Sequence, residues 1–137
     1  MGKQSQINGK EFEIRMCNYL FKKGYYVIYM EKGVTGSQPC DIVAIKDNIA
    51  ILLECKNLEN KNGIFTLDRV EQNQRLSYKR FKECGNNGFY LAIQWNDAVY
   101  MVNFELLKHF DGSLDLKQLE PNWRWEDENN NKFSNNC

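Results

Sequence analysis

The stretch Pro39-Cys40-Asp41-Ile42-Val43-Ala44-Ile45-Lys46-Asp47-Asn48-Ile49-Ala50-Ile51-Leu52-Leu53-Glu54-Cys55-Lys56 decides the fold. It reads as two apolar strands joined by a tight turn at Asp47-Asn48, because Asx residues tolerate the positive φ that a two-residue hairpin turn needs. With Lys46 and Ile49 flanking the turn, stepping back along both strands sets Asp41 opposite Glu54. Directly opposed residues of an antiparallel pair hold their Cβ atoms about 4.5 to 5.5 Å apart, close enough for two carboxylates to share one divalent cation. Lys56 follows Glu54 by two and so points to the same face. That face also carries Val43, Ile45, Ala50 and Leu52, and the other carries Ile42, Ala44, Lys46, Ile49, Ile51, Leu53 and Cys55. Both are mostly apolar, so the hairpin is expected to be central and covered on both sides. An ion pair of Lys56 with one acid is the plainer account of these charges. It leaves one lysine to serve two opposed acids at the open end of an apolar hairpin, a conflict that a bound cation resolves.

Upstream, Asn8 and Gly24 bracket an expected helix over about Gly9 to Lys23, with Phe12, Met16, Tyr19 and Leu20 as its buried stripe. Glu13 lies at the margin of that stripe, either as a solvated acid or as one aimed along the sheet. Tyr25 to Met30 is β-rich and reads as the first strand. The loop from Gly33 to Gln38 carries the hydroxyls of Thr35 and Ser37, which read either as ordinary loop polarity or as phosphate contacts.

Downstream, Asp68 with Glu71 has the form of a capping box, opening a helix to about Cys84 that Gly85 ends. Its inward stripe is Val70, Gln74, Ser77, Tyr78 and Phe81, so Gln74 is a polar residue on an apolar face: a core glutamine satisfied by backbone, or a site residue. Arg69, Arg75, Lys79, Arg80 and Lys82 make this helix basic, as a solvated face or as a surface for phosphates. Phe89 to Gln94 and Ala98 to Asn103 are two further strands around a turn at Asn96-Asp97, followed by a short helix from Phe104 to about Phe110. The order is α-β-β-β-α-β-β, an α/β mixed sheet flanked by helices.

At 137 residues, 42% hydrophobic and 26% charged, the chain is expected to form one soluble globular domain over residues 1–121. Residues 122–137 hold six Asn and read as a polar, frayed tail, apart from Trp123-Arg124-Trp125, which would stack on bases or dock on the domain or a dimer partner. No apolar run approaches the roughly 20 residues of a membrane span, and a cytoplasmic location is expected. Five cysteines without a Cys-x-x-Cys spacing and a single His109 make a zinc site improbable. The net charge is zero, yet residues 1–90 hold 14 Lys/Arg against 10 Asp/Glu, while residues 91–137 hold 4 against 8. The basic part suffices for a local phosphate-binding surface.

Gly9-x-x-x-Glu13 in the first helix, Asp41 after Pro39, Glu54-Cys55-Lys56 at a strand end and Gln74 in the next helix together resemble the PD-(D/E)XK nuclease superfamily. Within it, residues 9 to 107 are most similar to the Holliday junction resolvases of the archaeal Hjc type and the bacterial RecU type. The segments around Phe65-Thr66-Leu67 and Asn87 to Ile93 look most like RecU.

The resemblance implies a restriction-endonuclease-like fold and a metal-dependent DNA endonuclease, bacterial or phage-encoded. Asp41, Glu54 and the Cys55 carbonyl would ligate Mg²⁺ or Mn²⁺, with Lys56 orienting the attacking water or offsetting charge. Glu13 would help to hold a second ion or its water shell, and Gln74 would position the site or a phosphate. Thr35, Ser37, Arg69, Arg75 and Lys79 would contact DNA. A homodimer would make paired nicks in a four-way junction. Two departures stand: Cys40 separates Pro39 from Asp41, and the short loop over residues 31–38 has no room for the stalk of RecU proteins. The alternatives are another DNA nuclease of this fold, restriction-like or structure-selective, and a non-catalytic DNA-binding module.

Overall fold

The structure, a computed structural model, describes residues 2–31 and 38–130. Helix α1 (Gly2–Lys22) begins earlier than the Asn8 cap suggested, because Lys3 to Ile7 contains no breaker and the helix runs on through Gly9. It ends as expected at Gly24, whose φ is 94°. The Gly24 and Tyr25 N–H groups bond back to the carbonyls of Phe21 and Leu20, closing the last turn.

Strand β1 (Tyr26–Tyr29) is followed by the hairpin β2 (Ile42–Lys46) and β3 (Ile49–Asn57). Its turn residues Asp47 and Asn48 have φ of 53° and 67°, and the pairing runs from Ile42 opposite Leu53 to Lys46 opposite Ile49, as the sequence predicts. Strand β4 (Ile64–Thr66) and a 3₁₀ turn at Leu67–Arg69 precede α2 (Gln72–Glu83). The capping box is therefore not Asp68 with Glu71 but Glu71 with Gln74. The extended backbone of Val70 and Glu71 prevents Asp68 from joining the helix.

Strands β5 (Phe89–Trp95) and β6 (Ala98–Asn103) flank a turn at Asn96 and Asp97, again with positive φ. A 3₁₀ helix (Phe104–His109), β7 (Ser113–Asp115), β8 (Trp123–Arg124) and α3 (Trp125–Asn130) complete the chain. The main sheet has the order β1-β2-β3-β5-β6-β8, with β3 and β5 parallel across the α2 crossover and the other pairs antiparallel. Strands β4 and β7 form a separate two-stranded ribbon.

The sheet buries both faces, as the two apolar sides of the hairpin require. Phe12, Met16 and Leu20 of α1 pack on Ile42, Ala44, Leu53, Cys55, Ala92 and Val99. On the opposite face Phe89, Leu91 and Ile93 meet Phe65, Phe104, Leu114 and Leu116, with Tyr78 and Phe81 of α2 against them. The hairpin's turn end is not covered: Ile45 and Ile49 are exposed, and Lys46 Nζ donates there to the Lys23 carbonyl.

After residue 121 the segment Trp123-Arg124-Trp125 docks, one of the outcomes open for it, and the frayed reading is corrected for residues 126–130, which belong to α3. Trp123 pairs with Val99 and Arg124 with Ala98, extending the sheet, and the Trp123 ring stacks on Tyr19 at 3.9 Å. Trp125 is 5% exposed, lies under Arg15 and donates its indole N–H to Gln94. Both tryptophans are docked on their own domain.

Candidate active site

The open end of the hairpin is where the buried charges collect. Asp41 stands one residue before β2, and Glu54 one residue beyond the last pair with Leu53, so the two acids bracket the same step of the sheet. Each is 4% exposed. The Asp41 backbone is pinned on both sides, its N–H donating to the Leu53 carbonyl at 2.9 Å and its carbonyl accepting from the Met30 N–H at 2.8 Å. Its Oδ2 accepts the Cys55 N–H at 2.8 Å, which ties the carboxylate to the strand that carries Glu54. Lys56 Nζ lies 3.6 Å from Glu54 Oε2.

Gln74 is a buried connector. Its Oε1 accepts the Glu71 N–H at 2.9 Å, which orients the amide so that Nε2 donates to Glu54 Oε2. The inward polar residue of α2 thus belongs to the acid cluster through a side chain fixed at the helix start. Glu13 is 9% exposed, and its Oε1 accepts the Tyr29 hydroxyl at 2.7 Å. Of the two readings for Glu13, the structure selects the acid aimed along the sheet.

The electrostatics of this arrangement are unfavourable by themselves. Burial, and next the charge of Asp41, push the Glu54 carboxyl up to about 8, against the pull of Lys56. The same burial and neighbouring acids raise Cys40 to about 12 and Cys55 well above its ordinary value, so both thiols stay protonated. Two buried, opposed carboxylates with one partly exposed lysine fit a hard divalent cation, which binds through one or two carboxylates while keeping several waters. Among the described residues no three His, Cys, Asp or Glu side chains are gathered as a metal cluster. Asp41 and Glu54 fit as side-chain ligands, and the Cys55 carbonyl and Glu13 are the further groups the resemblance implies.

A cleft opens beside these groups, lined by Lys10, Glu13, Tyr29, Lys56, Asn57 and Arg69 among others. Of the residues expected to contact DNA, Arg69 joins it, with its guanidinium 5.0 Å over the Phe65 ring. Arg75 donates to the Leu67 carbonyl, and Lys79 is on the exposed side of α2; neither lines the cleft. Thr35 and Ser37 lie outside the described residues. Sequence reasoning missed Lys10, Tyr29 and Asn57. Lys10 precedes Glu13 by one helical turn and Asn57 directly follows Lys56, signals that were available; Tyr29 carried none, because its relation to Glu13 depends on how α1 lies on β1.

A mixed sheet with a parallel β3–β5 pair, flanked by helices and bearing an acid hairpin with Glu-x-Lys at its open end, defines the restriction-endonuclease-like class of PD-(D/E)XK nucleases. The solved structure of the Archaeoglobus fulgidus Holliday junction resolvase Hjc matches with a TM-score of 0.60 at 18% identity, covering 78% of this chain and 86% of that one. The bacterial homing endonuclease I-Ssp6803I matches at 0.54 and 13% identity, covering 90% and 80%. The chain belongs to the archaeal Holliday junction resolvase (Hjc) family, whose model matches residues 4–119. That is one of the two resolvase types the sequence resembles. The crossover junction endodeoxyribonuclease Hjc of Sulfurisphaera tokodaii is 24% identical over 130 residues, 90% of this chain and 86% of that protein.

Proposed function

We propose that this chain is a Mg²⁺- or Mn²⁺-dependent endodeoxyribonuclease that, as a homodimer, makes paired nicks in four-way DNA junctions in the cytoplasm. The observation that carries it is the buried Asp41–Glu54 pair with Lys56 3.6 Å from Glu54, beside a cleft that also holds Arg69 and Lys10. Asp41, Glu54 and the Cys55 carbonyl would hold the cation, which when bound polarises the scissile phosphate and acidifies a water. Lys56 supplies a positive group where charge develops on the phosphate oxygens. Gln74 keeps the Glu54 carboxylate in one orientation, and the Cys55 N–H does the same for Asp41. Arg69 and Lys10 are placed to hold the DNA backbone in the cleft.

A single acid cluster cuts one strand, so two opposed nicks need two copies related by a twofold axis. Trp125, 5% exposed, is too buried to supply the contact. Tyr26, Ile28 and Ile45 supply it: they are 68%, 40% and 38% exposed, and the register Tyr26 opposite Ile45 puts them on the sheet face away from α1. No helix among the described residues is long and apolar enough to cross a membrane.

The test is incubation with Mg²⁺ and a panel of linear, flapped and four-way DNA. Asp41→Asn and Glu54→Gln are expected to lose cleavage by at least about a hundredfold while junction binding is retained, since each removes a ligand and leaves the basic groups in place. Equal loss of binding and cleavage in a folded variant would count against the assignment. Cleavage of linear duplex as fast as junctions would leave a structure-tolerant nuclease.

A further inference from the structure

We propose that Tyr29 is a positioning residue of the nuclease site, holding the first-helix acid Glu13 in place through its hydroxyl; this rests on the reading of Glu13 as part of the catalytic constellation. Tyr29 closes the edge strand β1, opposite Ile42, the residue that follows Asp41. Its hydroxyl donates to Glu13 Oε1 at 2.7 Å, and both side chains line the cleft. The next residue, Met30, donates its backbone N–H to the Asp41 carbonyl at 2.8 Å. One strand end therefore touches two of the three acids, by side chain in one case and by backbone in the other.

A glutamate on a helix reaches its site through three rotatable bonds, and without a partner it samples several rotamers. A charge-assisted O–H···O⁻ bond from a residue anchored in the sheet selects one of them. Burial and the charge of Glu13 raise the phenol above its ordinary pKa, so it remains a proton donor across the working range. Removing the hydroxyl leaves the ring and its packing in place. The effect of Tyr29→Phe should therefore be felt through Glu13 and not through the fold.

The experiment is a double-mutant cycle of Tyr29→Phe and Glu13→Gln. Its readouts are single-turnover junction cleavage at saturating Mg²⁺, junction affinity, and calorimetric Mn²⁺ binding by the protein alone. Tyr29→Phe is expected to slow cleavage about tenfold and to weaken Mn²⁺ binding, as loss of an orienting partner does, with junction affinity unchanged. In the Glu13→Gln background it should add nothing to either loss. Losses that multiply across the cycle, or wild-type cleavage by Tyr29→Phe beside a slow Glu13→Gln, would overturn the role of Tyr29. Wild-type cleavage by Glu13→Gln would instead remove Glu13 from the constellation. Should Tyr29→Phe fail to fold, Glu13→Asp withdraws the carboxylate from the phenol by one methylene at constant charge. The same tenfold slowing is then expected, and wild-type cleavage would overturn the proposal.

Discussion

Glu54 sits where folding alone would not place a charge. Its carboxyl is raised from 4.5 to about 8 by burial and then by Asp41, so between those two pH values the folded chain holds a proton that the unfolded chain has released. Stability follows the excess of protons bound in the unfolded state, which is negative here, so the metal-free protein loses stability as pH rises. The contribution is fully present below about 4.5 and lost by about 8; at pH 7 the loss is on the order of 3 kcal/mol. Glu54→Gln in the presence of a chelator is expected to be more stable than wild type at pH 8, by roughly 1 to 3 kcal/mol, with a flatter pH dependence. Lys56 loses its ion-pair partner in this variant, which favours the lower end. Melting curves from pH 5 to 8 in EDTA check this. A Glu54→Gln protein less stable than wild type at pH 8 would mean that Lys56 and Gln74 already satisfy the acid.

At the scale of elements, the segment β8–α3 is a clasp on α1 and the sheet. Trp123 stacks on Tyr19, Trp125 is buried beneath Arg15, and Lys23 pairs with Glu128 at 3.5 Å. Gln94 receives the Trp125 N–H and donates to Asn57 Oδ1 at 2.9 Å, so the clasp also reaches the cleft. Trp125→Ala is expected to cost about 3 to 5 kcal/mol, the usual penalty for deleting a buried tryptophan. Truncation after Pro121 should lower the melting temperature by about 10 °C or more, with junction binding per folded molecule retained. Calorimetry and binding together decide it: unchanged stability with weaker binding would make the tryptophans a DNA contact.

For the molecule as a whole, the proposed paired nicking requires two copies of one cleft on one branched substrate. Ile45→Lys places a charge in the exposed apolar patch of β1 and β2 and touches none of the site residues. It is expected to shift sedimentation at micromolar protein from dimer to monomer, and to convert paired nicks on a junction into uncoordinated single nicks. A variant that remains dimeric would move the interface elsewhere, to exposed groups such as Phe21 or Leu76.

The sequence by itself determined the parts governed by local rules. The turns at Asp47-Asn48 and Asn96-Asp97 were legible because few residues accept positive φ, and the hairpin register followed from the turn. The register in turn set Asp41 and Glu54 at one end, and the motif around them pointed to the nuclease class. The helix stop at Gly24 was legible for the same reason, and the inward Gln74, Tyr78 and Phe81 of α2 through their helical spacing. Tertiary structure alone decided the rest. The strands β4, β7 and β8 have three, three and two residues, too few to show a period, and exist only because distant partners pair with them. Residues 126–130, read as frayed from composition, are helical because Trp125 at their start is buried and bonded to Gln94 and Glu128 pairs with Lys23. Only the packing of α1 on β1 joined Tyr29 to Glu13; for Gln74, which the motif already grouped with Glu54, packing supplied the contact itself, and it brought Arg69 of the 3₁₀ turn, but not Lys79 of α2, to the cleft. Tyr29 and Glu13 stand 16 residues apart, and neither residue's neighbours in sequence carry a trace of the other.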